Sequence, residues 1–496
     1  MQAIQARFNY LFRSTKGLIL VAIALISLVT ALWGMLSGPL KEWGISAVAA
    51  QIYGMKFVEA EREGRIILLY HTIAMAVIAI LTYMITGLVR MKPQQQANIN
   101  ATITVGYITS LVFGLWFGYF GHNFVFHGLF IVGQALVFFA GLQLAVALWP
   151  WRPEYHVTDP AYAHTRGGVD LERVAFFAMT VVTLISAVFG AVAGSLFGNG
   201  FQTVMSENIV RQPLKTPLEL AVIGHLHIML ELIAVALTLV VGRWFDFKGK
   251  LHRWAMPLMI IGTLIVAGGV WAVVPFEPIA HVIINVGAFP TLIASWLLVW
   301  FGWRKIAAAR LAERGVQRAS FGQKLSALLH DPLKFGMLWQ MIYMNFVVTA
   351  VGIFMAIRLD AAIRVWSLRD EQVGLTGHWH ILSGIIATII LLMYADMTNL
   401  KGKTRQWFGW TVIIASDIAF AAVTLFETKR LYVTEAAQQP LVDTVMIVSD
   451  IGLVAVLIAL AALMVWRLID LFKRQGRWAA EATESRLEDA AAEVGR

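Results

Sequence analysis

Twelve apolar runs, each long enough to cross a hydrocarbon layer, take up most of this chain. They fall near 17–38, 66–89, 100–119, 126–150, 172–198, 217–243, 254–276, 279–303, 334–357, 375–396, 405–427 and 442–468. A bilayer core about 30 Å thick needs roughly 20 helical residues to span it. Backbone amides in lipid must bond within their own segment, which favours helices over open strands. The chain is therefore expected to be an all-α polytopic membrane protein with twelve transmembrane helices. One transmembrane domain is expected over 1–475, followed by a charged, Ala-rich cytoplasmic tail over 476–496. The composition agrees, with 59% hydrophobic and only 14% charged residues among 496.

An even number of spans puts both termini on one side. The loops sharing that side carry Arg90 and Lys92, then Arg152, Arg166 and Arg173, then Arg243, Lys248, Lys250 and Arg253. Seven more Lys and Arg lie from Arg304 to Lys334, and Lys401, Lys403 and Arg405 follow. The opposite loops are poorer, so the positive-inside rule places both termini in the cytoplasm. The net charge of +9 then reads as loop charge facing anionic lipid, not as a nucleic-acid surface. The N-terminal run 17–38 is too long for a signal-peptide core and reads as the first span. Cysteine is absent. Disulfides, thiolate-held zinc, iron–sulfur clusters and covalent haem attachment are thereby excluded, and any metal must be held by His, Met, Asp, Glu or Tyr.

The histidines are the chemistry-bearing feature. Of 12, His156, His164, His252 and His330 fall in loops and read as surface residues. His122 and His127 flank the turn between spans 3 and 4. The other six, His71, His225, His227, His281, His378 and His380, fall inside spans, where an ionisable group is costly without a partner. With 1.5 Å of rise per residue, all six lie within roughly the outer half of the membrane. His378 and His380 are two residues apart, so they diverge by about 200° around their helix. They suit two centres on opposite sides of span 10. Imidazoles facing each other from two helices suit a six-coordinate low-spin haem, and one imidazole with an open far side suits a haem that binds a gas.

A twelve-span chain with His71 opening span 2 ("LYHT") and His-Trp-His in span 10 resembles subunit I of the haem–copper oxidase superfamily. The stretch "AVGIFMAIRLDAAIRVWSLRDEQVGLTGHWHILSG" is most similar to the nitric oxide reductase branch. The resemblance implies a haem–copper oxidase subunit I-like bundle with two b-type haems. His71 and His380 would be the axial pair of the low-spin haem, and His378 the ligand of the high-spin haem. His227 and Glu231, at i and i+4 on one face of span 6, resemble the pair that holds a non-haem iron in that branch; His225 is an alternative ligand. The family's adjacent His-His in helix 7 is missing. Glu277 and His281 stand near its place, again at i and i+4, and a carboxylate-rich set favours iron over copper.

The expected function is that of a membrane respiratory-type oxidoreductase. Electrons would pass through the low-spin haem to the high-spin haem, which reduces a small gas, nitric oxide by the resemblance. Glu231 and Glu277 are the expected proton carriers. An oxygen reductase fits less well. No Tyr lies between Tyr162 and Tyr343, span 8 has no Lys before Lys305, and the loop between spans 2 and 3 has no Asp. Two alternatives stand beside it. One is a haem-containing electron-transfer or quinol-linked cytochrome without a second metal; the other is a proton-coupled transporter without haem. No electron-carrying soluble module is fused here, so a cytochrome c-like partner subunit in a hetero-oligomeric complex, or a quinol, is implied. The expected location is the bacterial inner (cytoplasmic) membrane.

Overall fold

The structure is a computed structural model that describes residues 2–37, 44–55, 62–120, 123–195, 217–358, 368–474 and 476–482. The described chain is built from α1 (Gln2–Arg13), α2 (Thr15–Ser37), α3 (Ile45–Tyr53), α4 (Arg62–Leu88), α5 (Pro93–Phe120) and α6 (Phe124–Leu148). After a loop come α7 (Leu171–Ser195), α8 (Pro217–Trp244), α9 (Lys250–Trp271), α10 (Val273–Glu313) and the short α11 (Phe321–Leu328). Next are α12 (Pro332–Ile342), a π-helical turn (Tyr343–Val348), α13 (Thr349–Arg358), α14 (Leu368–Met397), α15 (Gly402–Glu427) and α16 (Gln438–Phe472). Among the described residues the only extended pairing is an isolated bridge between His164 and Asp170.

Among the described residues eleven segments are long and apolar enough to cross a membrane, and α1 with α2 makes a twelfth if that pair, bent by 82°, counts as one span. This is the architecture of a polytopic helical membrane protein. The bend falls at Ser14, whose hydroxyl donates to the Tyr10 carbonyl (2.6 Å) and accepts from the Gly17 amide (3.1 Å). Local chemistry sets other boundaries. Asn123 caps α6 by accepting from the Val125 and Phe126 amides. Asp331 caps α12 by accepting from the Lys334 amide, with Pro332 at the first helical position where no N–H is needed.

Spans 7 and 8 form a tight antiparallel hairpin. Phe276 leaves helical geometry (φ −145°, ψ 52°), and Pro278 follows as the chain turns back. The two helices touch through glycine. A Cβ on Gly262 would stand 2.8 Å from the Gly287 carbonyl oxygen, and one on Gly287 would stand 2.5 Å from the Val266 amide nitrogen.

The chain divides into two compact units. The first comprises Met1–Trp149, Thr183–Ser206 and Leu468–Arg496; the second comprises Pro150–Val182 and Glu207–Arg467. In the first unit the start of the expected tail docks back on α1. Tyr10 donates to Glu481 (2.5 Å), Arg7 stands over the Trp478 ring (5.6 Å), and Asp470 accepts from the Trp478 amide (3.0 Å). The described start of the expected tail and the first helix therefore touch.

Polar groups in the second unit are paired across helices. Arg405 on α15 binds Asp331 at the start of α12 (2.7 Å) and Asp396 on α14 (2.6 Å), and the Trp244 indole of α8 donates to Asp396 (2.9 Å). Four helices are thus tied at one end. His252 corrects a sequence expectation. It is not a surface residue but is wholly buried. The loop after Pro150 folds over the start of α9, so His252 Nδ1 accepts from the Ala163 amide (2.9 Å), with Tyr162 and Phe247 edge-on to its ring.

Two expectations follow. Arg405→Ala leaves two carboxylates without their cation and should lower unfolding stability by about 3 kcal/mol, measured by thermal or chemical unfolding in detergent; Arg405→Lys should restore part of it. The second concerns Asp246, in the loop after α8. Burial alone would raise its carboxyl, but hydrogen bonds from Lys248, Tyr162 and Lys305 outweigh burial and hold it at about 2. That is below the ordinary value near 4, so its contribution is complete above about 4 and is lost as pH falls through about 2. Asp246 sits at φ 48°, a conformation Asn tolerates. Asp246→Asn should therefore unfold earlier than wild type at neutral pH and converge with it as pH falls toward 2.

Candidate functional site

The second unit holds a cavity of about 270 Å³. It is lined by α8, α9, α10, the π-turn with α13, and α14. On α8 the lining runs from Leu220 to Thr238 and on α10 from Val273 to Ser295. The α8 stretch alone is 19 residues, or about 27 Å of helix, so the cavity is a long cleft parallel to the helices. Most of its wall is aliphatic. The exceptions include His227 and Glu231 on α8, Glu277 and His281 on α10, and His378 on α14. Five of the eight residues singled out from the sequence are thus brought to one cavity, because the i, i+4 spacings on α8 and α10 present each His and Glu pair to the same side.

His378 is buried, with 8% of its surface exposed. Its Nδ1 is buried and has no hydrogen-bond partner. Its ring lies against Gly352 of α13, where a Cβ would stand 3.1 Å from both Cε1 and Nε2. A side chain at that position would push the imidazole aside, so glycine is what lets the ring stand there. His380, two residues on, is exposed. The two rings leave the helix in opposing directions, as their spacing predicts.

His227 faces His378's neighbour. Its Nδ1 lies 2.9 Å from the Ile223 carbonyl, which can only accept, so Nδ1 carries the proton. Nε2 is then the lone-pair nitrogen, and the Trp379 indole donates to it at 3.4 Å. The rings meet edge-on at 5.3 Å. A histidine whose Nδ1–H is held by a carbonyl is oriented as metal-bound histidines are.

The expected second metal is not matched by this geometry. Among the described residues no three His, Asp or Glu side chains gather closely enough to hold a metal ion. His227, Glu231 and His281 line the cavity without converging on a point, and His225 is not among the lining residues. His378, the expected haem ligand, is a buried imidazole with an unpartnered Nδ1, seated against Gly352, on a residue that lines a mostly apolar cavity. His71 stands half-buried in α4 of the first unit. His122 lies outside the described residues, and His127 is half-buried near the start of α6.

Sequence reasoning missed several participants. Trp379 holds His227, yet it reads in the sequence as one of 18 tryptophans. The π-turn at Tyr343–Val348 puts Met344, Asn345 and Val348 on the cavity wall, and no apolar periodicity announces such a turn; π-turns recur at functional sites. Glu427 ends α15 as a buried carboxyl, and its Oε2, which has no partner, would stand 2.9 Å from a Cβ on Gly377. The only signal was an acidic residue closing an apolar run, one helix away from the His-Trp-His segment. Compared with known proteins, the chain matches no family model, no curated protein and no solved structure.

Proposed function

We propose that this chain is a membrane haem oxidoreductase whose central cavity is the reaction chamber for a small gas, nitric oxide by the resemblance of its His-Trp-His segment. The observation that carries the reading is His378: a buried imidazole with an unpartnered nitrogen, lodged on Gly352 and presented to a cavity of about 270 Å³. A haem held there by His378 would supply a redox-active iron for reducing a small gas. The chain's own residues do the rest. His378 and Gly352 fix the direction of the ligand. Aliphatic residues of α8 and α10 admit an apolar gas and keep bulk water out. His227, with both ring nitrogens engaged by Ile223 and Trp379, is an oriented imidazole on the cavity wall. Glu231 and Glu277 hold protons for a reaction that consumes them. By the resemblance, His71 and His380 are the ligands proposed for the low-spin haem. Electrons arrive from a partner subunit or a quinol.

A second reading keeps the haems and dispenses with the second metal. It is favoured by one observation, the failure of the cavity's His and Glu side chains to gather into a metal-holding group. Metal analysis of the purified protein separates the two. Iron or copper beyond the haem content supports the first, and none supports the second.

Reduced-minus-oxidised spectra with carbon monoxide test the ligand assignment. His71→Ala should lose the low-spin signal and keep carbon monoxide binding. Gly352→Val, which drives the His378 ring from its seat, should cut the carbon monoxide signal at least tenfold while the low-spin signal stays. Equal loss of both signals in both variants contradicts the assignment, and a purified wild-type protein without haem ends the reading.

A further inference from the structure

Membrane crossing does not explain the first helix. α1 has 12 residues, about 18 Å of helix, which is too short to span. It carries Gln2, Gln5, Arg7, Asn9 and Arg13, a set that hydrocarbon does not admit without partners. α2 alone is 23 mostly apolar residues, about 34 Å of helix, and reaches across a bilayer without α1. The two helices meet at 82°. The bend is tightly packed: a Cβ on Gly17 would stand 2.7 Å from the Tyr10 carbonyl carbon and 2.8 Å from the Leu11 Cα. With α2 crossing, α1 runs along the membrane surface.

One face of α1 is already taken. Tyr10 is buried, its hydroxyl given to Glu481 and its ring 6.2 Å from that of Trp478. Arg7 donates to the Phe472 carbonyl at 3.2 Å. The opposite face is exposed and apolar. Ile4, Phe8 and Phe12, at i, i+4 and i+8, are 71%, 57% and 38% exposed, and the two phenyl rings lie 4.7 Å apart. These three positions cover about 80° of the helix, and Tyr10 points about 200° away from Phe8. Arg7 leaves the helix about 100° to one side of Phe8 and Arg13 about 140° to the other. An apolar stripe with a cation on each flank suits a helix lying in a bilayer interface, rings at the acyl boundary and cations among headgroups.

We propose that α1 is an in-plane anchor whose Ile4, Phe8 and Phe12 bind the anionic lipid leaflet on the basic side of the membrane, and that it holds the start of the tail against that surface. Charge selects this occupant. No Asp or Glu precedes Glu42, while Lys16 follows just beyond the bend. The acids that approach α1 belong to the tail contact and are engaged in it: Glu481 takes the Tyr10 hydroxyl, and Asp470 accepts from the Arg477 and Trp478 amides. The stripe is therefore edged by cations alone. A second copy of this chain would bring the same cations against it, whereas anionic headgroups neutralise them. The inference is independent of the central cavity and of any haem.

The lack of native cysteine allows a single label. Full-length Phe8→Cys carrying bimane is reconstituted in vesicles of phosphatidylcholine and phosphatidylglycerol in equal parts, with Ile4→Cys as a second labelling site. Nitroxides high or low on a lipid chain quench from shallow or deep hydrocarbon, and a neutral water-soluble nitroxide quenches from outside. Quenching by the shallow lipid should exceed both others by about threefold. At equal mole fraction, a shallow nitroxide on phosphatidylglycerol should quench about twice as strongly as one on phosphatidylcholine. Arg13→Gln combined with Lys16→Gln should make the two equal. Strongest quenching from water overturns the proposal, as does strongest quenching from deep lipid, which would make α1 half of a broken span. Protection from all three quenchers would place a partner protein or a second copy over the stripe and contradicts it too. Equal quenching by the two lipids in the otherwise unaltered chain contradicts the anionic preference.

Discussion

In hydrocarbon, a polar group is held only if the protein itself supplies its partner, and this constraint organises the second unit. Arg405 is shared by Asp331 and Asp396, Glu172 is taken by Arg243, and Asp417 accepts from both Trp339 (2.7 Å) and Gln340 (2.7 Å). His227 spends one nitrogen on Ile223 and receives Trp379 at the other. Against that background, the exceptions are informative. Nδ1 of His378 is buried without a partner on a residue that lines the central cavity, and the unpartnered Oε2 of Glu427 lies against the residue just before His378.

The positions of the helices could be read from the sequence because lipid rewards one simple pattern, an unbroken apolar run. Among the described residues eleven of the twelve expected runs correspond to single segments, and the first, 17–38, falls in α2, which is counted as a span together with α1 across the bend at Ser14. The divergence of His378 and His380 was legible for the same reason: helix geometry alone fixes it. What the sequence concealed depends on pairings between distant segments. His252 is buried because residues about ninety positions earlier fold over it. Trp379 matters because it meets His227 on another helix. The π-turn follows from no residue pattern that hydropathy detects, yet it sets part of the cavity wall.

The candidate site was legible in its members more than in its form. The i, i+4 pairs His227/Glu231 and Glu277/His281 do share a cavity with His378, as their spacing and depth imply. They do not close around a point. In place of the His-His that the resemblance leads one to expect at the end of span 7, the chain has a turn at Phe276 and a carboxyl at Glu277. The wall therefore carries two carboxyls, Glu231 and Glu277, which serve proton handling as readily as metal binding.

The central claim is that the His378 imidazole holds a gas-binding haem iron at this cavity. Its most direct test is cavity complementation: the carbon monoxide difference spectrum of His378→Gly, recorded with and without added imidazole. The account requires a signal in the wild-type protein that is lost in the variant and regained when free imidazole occupies the space beside Gly352. A signal retained in full without imidazole, or no carbon monoxide signal in the wild-type protein, contradicts it.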